Sequence, residues 1–357
     1  MQNPEDIHHI QMPITLKDIA RHFSVSIATV SRALHNNPRI SEVRRKAIQD
    51  YAREHDFQAN QIAESLRYSR VRPIKIIGVI VPEFTHYYFS SILTGIEQQA
   101  AHLGYRIMVA ASGENYDKEV KICEEFYAAK VCGIIVSQTK HTTRYDHFQR
   151  LINKGIPLVF YDRICTGVDA SRVVVDDYTG AFTAVSYLLS TGCRRIAYYN
   201  SPSNLQISKN RLNGYRDALL RHGIRPDKRY ILECDNRNDA ERVTPGVMSM
   251  ANPPDAFFAT NDDTAIGIMY SVKRMGYRVP DDISICGFTN GQRAIACDPM
   301  LTTIEQRGVE VGREAADILV GLVTGSIPRN SVVKRVVRTR LVVRGSTRNP
   351  QQVDNYK

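Results

Sequence analysis

The spacing of apolar positions divides this chain at about residue 73. Before it, apolar residues recur three and four apart, the period of helices packed by one face. Thr15 with Leu16-Lys17-Asp18 reads as a capping box, with Asp18 in the positive first turn of a helix. Ile19, Ala20 and Phe23 share its inner face. Ser24-Val25-Ser26 reads as a short turn, and Ser26 as the cap of a second helix with Val30 and Leu34 inward. Ile27, Ala28, Ser31 and Arg32 remain on the outer side. Ser41 is expected to cap a third helix, Glu42 to about His55, with Val43, Ala47, Ile48 and Tyr51 inward.

From Ile74 onward, strand-length apolar runs alternate with helical segments. The runs are Ile76–Val81, Tyr105–Ala110, Gly133–Ser137, Pro157–Tyr161, Val173–Val175, Ile196–Tyr199, Ile231–Glu233, Ala256–Ala259 and Ile283–Phe288. Helices are expected near 88–103, 117–130, 178–190, 209–222, 239–251, 262–275 and 308–324. Such alternation builds βαβ units and parallel sheets. The pattern is long for one sheet, so two lobes are expected. The polar, basic stretch Arg67–Arg72 before Pro73 marks a linker, and residues 349–357 are polar enough to fray.

Composition narrows the class. A length of 357 residues fits two or three domains. Apolar runs are too short to cross a membrane, and Met1–Asp6 lacks the apolar core of a signal peptide. A cytoplasmic protein is therefore expected. Seven widely spaced cysteines, without a C-x-x-C, argue against a disulfide framework or a zinc site. No cofactor and no metal is expected. The net charge of +10 invites an anionic partner. Yet residues 1–72 hold 11 Lys/Arg against 8 Asp/Glu, while 334–348 hold six Lys/Arg and no acid. Charge alone does not identify a nucleic-acid site.

Two short helices joined by a tight turn, with a third in support, match a helix-turn-helix. The second helix carries small and hydroxylic residues and one arginine. Small side chains let a helix approach base edges, hydroxyls bind phosphates, and arginine reads guanine or phosphate. The run Thr15-Leu16-Lys17-Asp18-Ile19-Ala20, followed by Val25-Ser26, Thr29-Val30-Ser31-Arg32 and Leu34, closely resembles the lactose/galactose-repressor family of bacterial transcription regulators. The resemblance implies that Ile27 and Ala28 read bases, that Ser26, Thr29 and Ser31 contact phosphate, that Arg32 meets a base or phosphate, and that Leu16 approaches DNA from the first helix. Ser24 departs from the family's usual glycine; if the turn needs φ > 0 there, serine costs ~1 kcal/mol.

The resemblance extends to a hinge over Asn60–Arg67, a segment too short to hold a helix alone in water. It implies that two hinge helices meet across a dimer axis and enter the minor groove. Asn60, Ala63 and Leu66 occupy the family's positions, with Leu66 as the wedge between base pairs. Ala59 and Glu64 depart from its pattern, and an acid near phosphates weakens binding.

Over residues 74–348 the family implies a two-lobed α/β domain like periplasmic binding proteins, with a ligand between the lobes. Together with a helix-turn-helix head (1–58), a hinge and linker (59–73) and a tail (349–357), this gives a multidomain chain: a small all-α head and a larger α/β effector domain. Ligands in such sheets bind beyond the carboxyl ends of the strands. The residues there are Tyr88 and Phe89, Asp162 and Arg163, Asn261 and Asp262, and Thr289; Arg211 matches the family's ligand anchor. Thr289 stands where the family often has aspartate. With Arg163 and Arg211 retained, that loss of charge suggests a sugar or sugar derivative more acidic than a plain sugar.

The family reading implies a homodimer on a pseudo-palindromic DNA operator, because one helix-turn-helix has a small interface. No leucine heptad follows Arg348, so a dimer rather than a tetramer is expected. An enzyme is the first alternative, but the chain has no G-x-G-x-x-G after a strand, P-loop, G-x-S-x-G or H-E-x-x-H. The carboxylate pairs Asp176-Asp177, Asp262-Asp263 and Asp281-Asp282 are sequence neighbours that do not face each other. A transport-type binding protein would carry a signal peptide and no helix-turn-helix. A partner protein as effector, or a chain that has lost operator binding, remains open at this level.

Overall fold

The computed structural model describes residues 14–57 and 75–349, which fall into two compact units divided after Ile74. In the first unit, α1 (Leu16–His22), α2 (Ile27–Leu34) and α3 (Glu42–Glu54) pack around Ile19, Ala20, Val30, Ala33, Ile48 and Ala52. The capping box at Thr15 and Asp18 is present, and Ser26 caps α2. Ser24 adopts φ 50°, the left-handed conformation in which serine is strained.

The third helix corrects two expectations. Ser41 makes no side-chain cap bond, and Val43 and Ala47 face solvent, Val43 with 83% of its surface exposed. The cause is Gln49. Its Nε2 donates to the Ala33 carbonyl at 2.8 Å and to Asn36 Oδ1 at 3.0 Å, satisfying an end carbonyl of α2. Turning Gln49 toward α2 brings Ile48 and Ala52 inward and sends Val43 and Ala47 out. Tyr51 then stacks between His22 and His55, with ring centroids 4.0 and 4.1 Å away.

The second unit holds two six-stranded sheets, each the floor of a lobe. The first runs β11-β5-β4-β3-β1-β2, from β1 (Ile76–Val81), β2 (Arg106–Ala111), β3 (Gly133–Val136), β4 (Leu158–Tyr161), β5 (Ser171–Val175) and β11 (Lys334–Val337). Its pairs are all parallel. The second runs β12-β10-β9-β8-β6-β7, from β6 (Ile196–Asn200), β7 (Ile231–Glu233), β8 (Ala256–Ala259), β9 (Ser284–Thr289), β10 (Thr302–Glu305) and β12 (Arg340–Val342). Only β12, against β10, is antiparallel in it.

Between strands lie α4 (Tyr87–His102), α5 (Tyr116–Ala128), α6 (Asp146–Asn153), α7 (Asp177–Ser190), α8 (Gln206–Arg221), α9 (Arg237–Met248), α10 (Asp262–Arg274), α11 (Gln292–Ala296) and α12 (Gly308–Thr324). The chain changes lobe between β5 and α7, between β10 and α12, and between β11 and β12. In the first lobe α4 and α12 meet through glycines: a Cβ at Gly95 would strike the Val309 carbonyl, and one at Gly312 the Ile92 carbonyl. That packing lets both helices share one core with Ile77, Val79, Ile135 and Val159 of β1, β3 and β4.

Most of the expected elements appear within a few residues of their expected ends. Two helices and three strands, β10, β11 and β12, lie outside the expected elements. The short α6 turns His147, Phe148 and Leu151 inward and has no side-chain cap to announce it. The second, α11, is a five-residue turn. In β10 the buried Thr302 and Thr303 look polar in sequence, but Thr302 Oγ1 donates to Arg344 O and Thr303 Oγ1 to Asp262. The basic run at 334–348 is largely exposed: Arg335 and Arg340 make surface pairs with Glu314 and Glu305, while Arg344 donates to Leu301 O and Asn290 Oδ1.

Candidate functional site

The expected site residues that are described fall in two regions. In the head, Ser26 Oγ accepts the Thr29 amide at 3.1 Å and lies 2.9 Å from Thr29 Oγ1, so these hydroxyls hold each other at the start of α2. Ala28 and Arg32 are exposed, and Arg32's guanidinium has no partner among the described residues. Ser31 is half-buried. Leu16 and Ile27 are half-buried against the head's core, so only part of each faces outward. Asn60, Ala63 and Leu66 lie outside the described residues.

The second region is a cavity of about 440 Å³ between the lobes, at the carboxyl ends of the strands. The first lobe contributes Tyr88 and Phe89 from the start of α4, Glu114 after β2, Lys140 after β3, and Asp162 and Arg163 after β4. The second contributes Arg211 from α8, Asp235, Thr260, Asn261, Asp263, Thr289, Arg293 and Gln306. The helix starts are well capped. His86 Nδ1 accepts the Tyr88 amide at 3.3 Å, and Asn261 Oδ1 accepts the Thr264 amide at 2.8 Å while its Nδ2 donates to Asp235 O.

Several polar groups here lack hydrogen-bond partners among the described residues. Tyr88 Oη and Arg163 Nε are buried and unpaired among the described residues. Asp162 is buried at φ 54°, a strained conformation that clusters at functional sites. No hydrogen-bond donor reaches its carboxylate among the described residues, and Arg163 Nε stands 4.0 Å away. Burial pushes Asp162 above the usual carboxylate range against the pull of Arg163, and keeps the Tyr88 hydroxyl protonated. Burial likewise lowers His86, which favours a neutral ring able to accept at Nδ1.

The arginines are spoken for. Arg211 Nε and Nη2 each lie 2.8 Å from Asp177 Oδ1, its Nη1 donates to Thr260 O at 2.6 Å, and its guanidinium stacks 3.8 Å from the Phe288 ring centre. Arg163 Nη1 donates to Glu114 Oε1 at 2.5 Å. Burial raises Glu114, but Arg163 and the Lys140 amide outweigh it and leave the carboxyl below its ordinary range. Lys140 faces Asp235 and Arg293 faces Asp263. The argument for an acidic ligand therefore loses its premise, because the two arginines left when Thr289 replaces an acid are each neutralised by a carboxylate.

Of the expected effector residues, Tyr88, Phe89, Asp162, Arg163, Arg211, Asn261 and Thr289 line this cavity. Asp262 does not. It is buried beneath, accepting Thr303 Oγ1 at 2.5 Å and the Gly291 amide at 2.8 Å, and borders a smaller neighbouring cavity of about 280 Å³. Thr289, at φ 147°, donates to Gln306 Oε1 at a crossover between lobes. Glu114, Lys140, Asp235 and Gln306 were not foreseen. They lie in loops without a local pattern, and only the strand order brings them together.

The family profile described as bacterial regulatory proteins, lacI family, matches residues 15–60, and that of the periplasmic binding protein-like domain matches residues 185–347. The HTH-type transcriptional repressor CytR of Escherichia coli K12 is 32% identical over 335 residues, covering 94% of this chain and 96% of the relative. The chain belongs to the lacI family. Catabolite control protein A of Priestia megaterium is 27% identical over 90% of this lacI-family chain and 96% of its own. Among solved structures, the complex of the transcriptional regulator CelR with cellobiose is 25% identical, with a TM-score of 0.71 over 93% of this chain and 99% of that one. The lac repressor dimer bound to operator and the anti-inducer ONPF shares the fold, at 23% identity and a TM-score of 0.81 over 94% and 100% of the two chains. The family read from Thr15–Leu34 thus extends through both lobes, and the expected two-lobed architecture stands.

Proposed function

We propose that this lacI-family chain is a transcriptional repressor that reads a pseudo-palindromic operator as a homodimer and is switched by a small neutral polar molecule, a sugar or close derivative, held between its lobes. The carrying observation is the coexistence, in one chain, of a capped α2 presenting exposed Ala28 and Arg32, and a polar cavity in which Tyr88 Oη and Arg163 Nε have no hydrogen-bond partner among the described residues and lie with the buried Asp162. Ile27 and Ala28 read base edges, Ser26, Thr29 and Ser31 engage phosphates, and Arg32 takes a base or phosphate. Leu16 supports them from α1. Asn60, Ala63 and Leu66 form the hinge, with Leu66 as the wedge.

In the cleft, Phe89 offers a ring face, Asp162 accepts hydroxyls, and Tyr88 Oη, Arg163 Nε and Asn261 complete the polar contacts. Arg211 and Thr289 shape the wall. The carboxylate–cation balance of the lining favours a neutral ligand. Relatives support this class: CelR is seen with cellobiose, and a LacI family regulator from Enterococcus faecium, 25% identical with a TM-score of 0.67 over 76% of this chain and 98% of that one, with ribose. A change in lobe closure would alter the spacing of two hinge segments that need each other to stay helical.

The reading is non-catalytic. Asp176 caps α7, Asp177 pairs with Arg211, Asp263 with Arg293, and Asp281 and Asp282 with Arg278, so each neighbouring carboxylate has a structural task. Among the described residues no helix is long and apolar enough to cross a membrane. We place the protein in the cytoplasm with its DNA.

Selection of bound DNA from a random pool by the full-length protein, with and without a neutral sugar library, tests the proposal. Enrichment of a pseudo-palindrome with a flexible central pyrimidine–purine step supports both head and wedge. No enrichment under any condition overturns the operator reading and leaves a ligand-binding protein, or one whose effector is another protein.

A further inference from the structure

Away from the three crossovers, the hydrogen bonds that join the two lobes among the described residues all run through Lys140. Its Nζ lies 3.4 Å from Asp235 Oδ2, and its carbonyl accepts Asn204 Nδ2 at 2.8 Å. Lys140 follows β3 in the first lobe; Asn204 and Asp235 follow β6 and β7 in the second. The Lys140 and Asp235 side chains are 27% and 18% exposed, so the pair is partly sheltered from screening.

The loop that presents Lys140 is built to hold still. Fully buried Glu119 accepts the Thr139 amide at 2.8 Å and Thr142 Oγ1 at 2.8 Å, and lies 3.0 Å from His147 Nε2. Glu114 Oε2 accepts the Lys140 amide at 2.8 Å, while its other oxygen accepts Arg163 Nη1. Glu114 itself sits at φ 57°, a conformation that persists in an L-residue only where surrounding contacts impose it. The contact between lobes is thus wired through Glu114 to Arg163, which lines the cavity.

We infer that Lys140 is an inter-lobe clasp: it keeps the cleft closed in the free protein, and Glu114, shared with Arg163, sets its position. The inference rests on the effector-cleft reading for its purpose, since a group hydrogen-bonded at Arg163 touches the same relay. Closure itself depends on neither ligand nor DNA.

The test is a distance between spin labels carried on genetically encoded residues at Glu124 on α5 and Gly246 on α9, leaving the native cysteines untouched. Full-length protein, diluted with unlabelled chains so that only distances within one chain are read, is measured without ligand or DNA. The wild type is expected to give one narrow distribution. Lys140→Met shifts it to longer, broader distances, Lys140→Arg retains it, and Glu114→Gln gives a partial shift. Circular dichroism melting verifies that each variant is folded. A broad distribution in the wild type, or an unchanged one in folded Lys140→Met, overturns the clasp. An unchanged one in Glu114→Gln overturns the relay. Because no ligand enters the measurement, a failure of the effector reading registers only in the ligand screen.

Discussion

Arg211 and Asp177 form a fully internal pair: two guanidinium nitrogens converge on Asp177 Oδ1 at 2.8 Å, and both side chains are almost wholly buried. Burial pushes the Asp177 carboxyl up to about 6, and the Arg211 charge beside it pulls the other way. Removing the arginine leaves a desolvated carboxylate without its cation, which costs about 3–5 kcal/mol. Arg211→Met is expected to lower unfolding stability by that order in urea titrations near pH 7. Arg211→Met combined with Asp177→Asn should recover part of the loss. Additive losses in the double variant would mean that the two residues do not act as a pair.

Ser24 predicts a gain. Its φ of 50° suits glycine, and no hydrogen bond of the side chain is seen among the described residues. Ser24→Gly is expected to stabilise the head by about 1 kcal/mol, less any loss from greater freedom in the unfolded chain. Hydrogen exchange at the Ile19 and Val30 amides reads the head alone. Faster exchange in the variant would show that the serine contributes more than it strains.

Much of this architecture was legible because the buried strands are short apolar runs, as in Ile76–Val81 and Ala256–Ala259, both almost wholly buried. The helix 308–324 was equally plain, closed by Gly325 in the left-handed conformation. What sequence concealed is tertiary. Gln49 turns α3 so that Val43 faces water, and buried threonines disguise β10. Arg211 could be matched as an anchor, but nothing local announces that Asp177, thirty-four positions earlier, already holds it. The same blindness hid Glu114 and Lys140.

The head yields a prediction with two separable outcomes. Exposed Arg32 is free to reach DNA, and its removal as Arg32→Met is expected to weaken operator binding by about 1–3 kcal/mol. If Arg32 reads a base, the loss is confined to operators carrying that base. If it meets phosphate, affinity falls on all sequences and the salt slope drops by about 1. Titrating the selected operator and its single-base variants at several salt concentrations separates the two. Unchanged binding everywhere would remove Arg32 from the interface. Ala28→Ser, in parallel, should change base preference more than total affinity.

Asp262 governs a pH dependence whose sign is fixed by burial. Two donors reach its carboxylate, Thr303 Oγ1 and the Gly291 amide, and both favour the ionised form. Burial outweighs them and raises the carboxyl from 3.8 to about 6. The folded chain therefore holds this proton more tightly than the unfolded one. The resulting stability is fully present below about pH 4 and is lost as pH rises through 6. At about 1.4 kcal/mol per unit, the swing is at most about 3 kcal/mol. Asp262→Asn removes the titration, and groups shared by both proteins, Asp177 included, cancel in the difference. Urea unfolding from pH 4.5 to 7.5 should show wild-type stability falling relative to Asp262→Asn up to about pH 6.5 and running parallel above it. A flat difference across that range would mean that the two hydrogen bonds, not burial, set the charge of Asp262, and that the base of α10 carries a full carboxylate beneath the cleft.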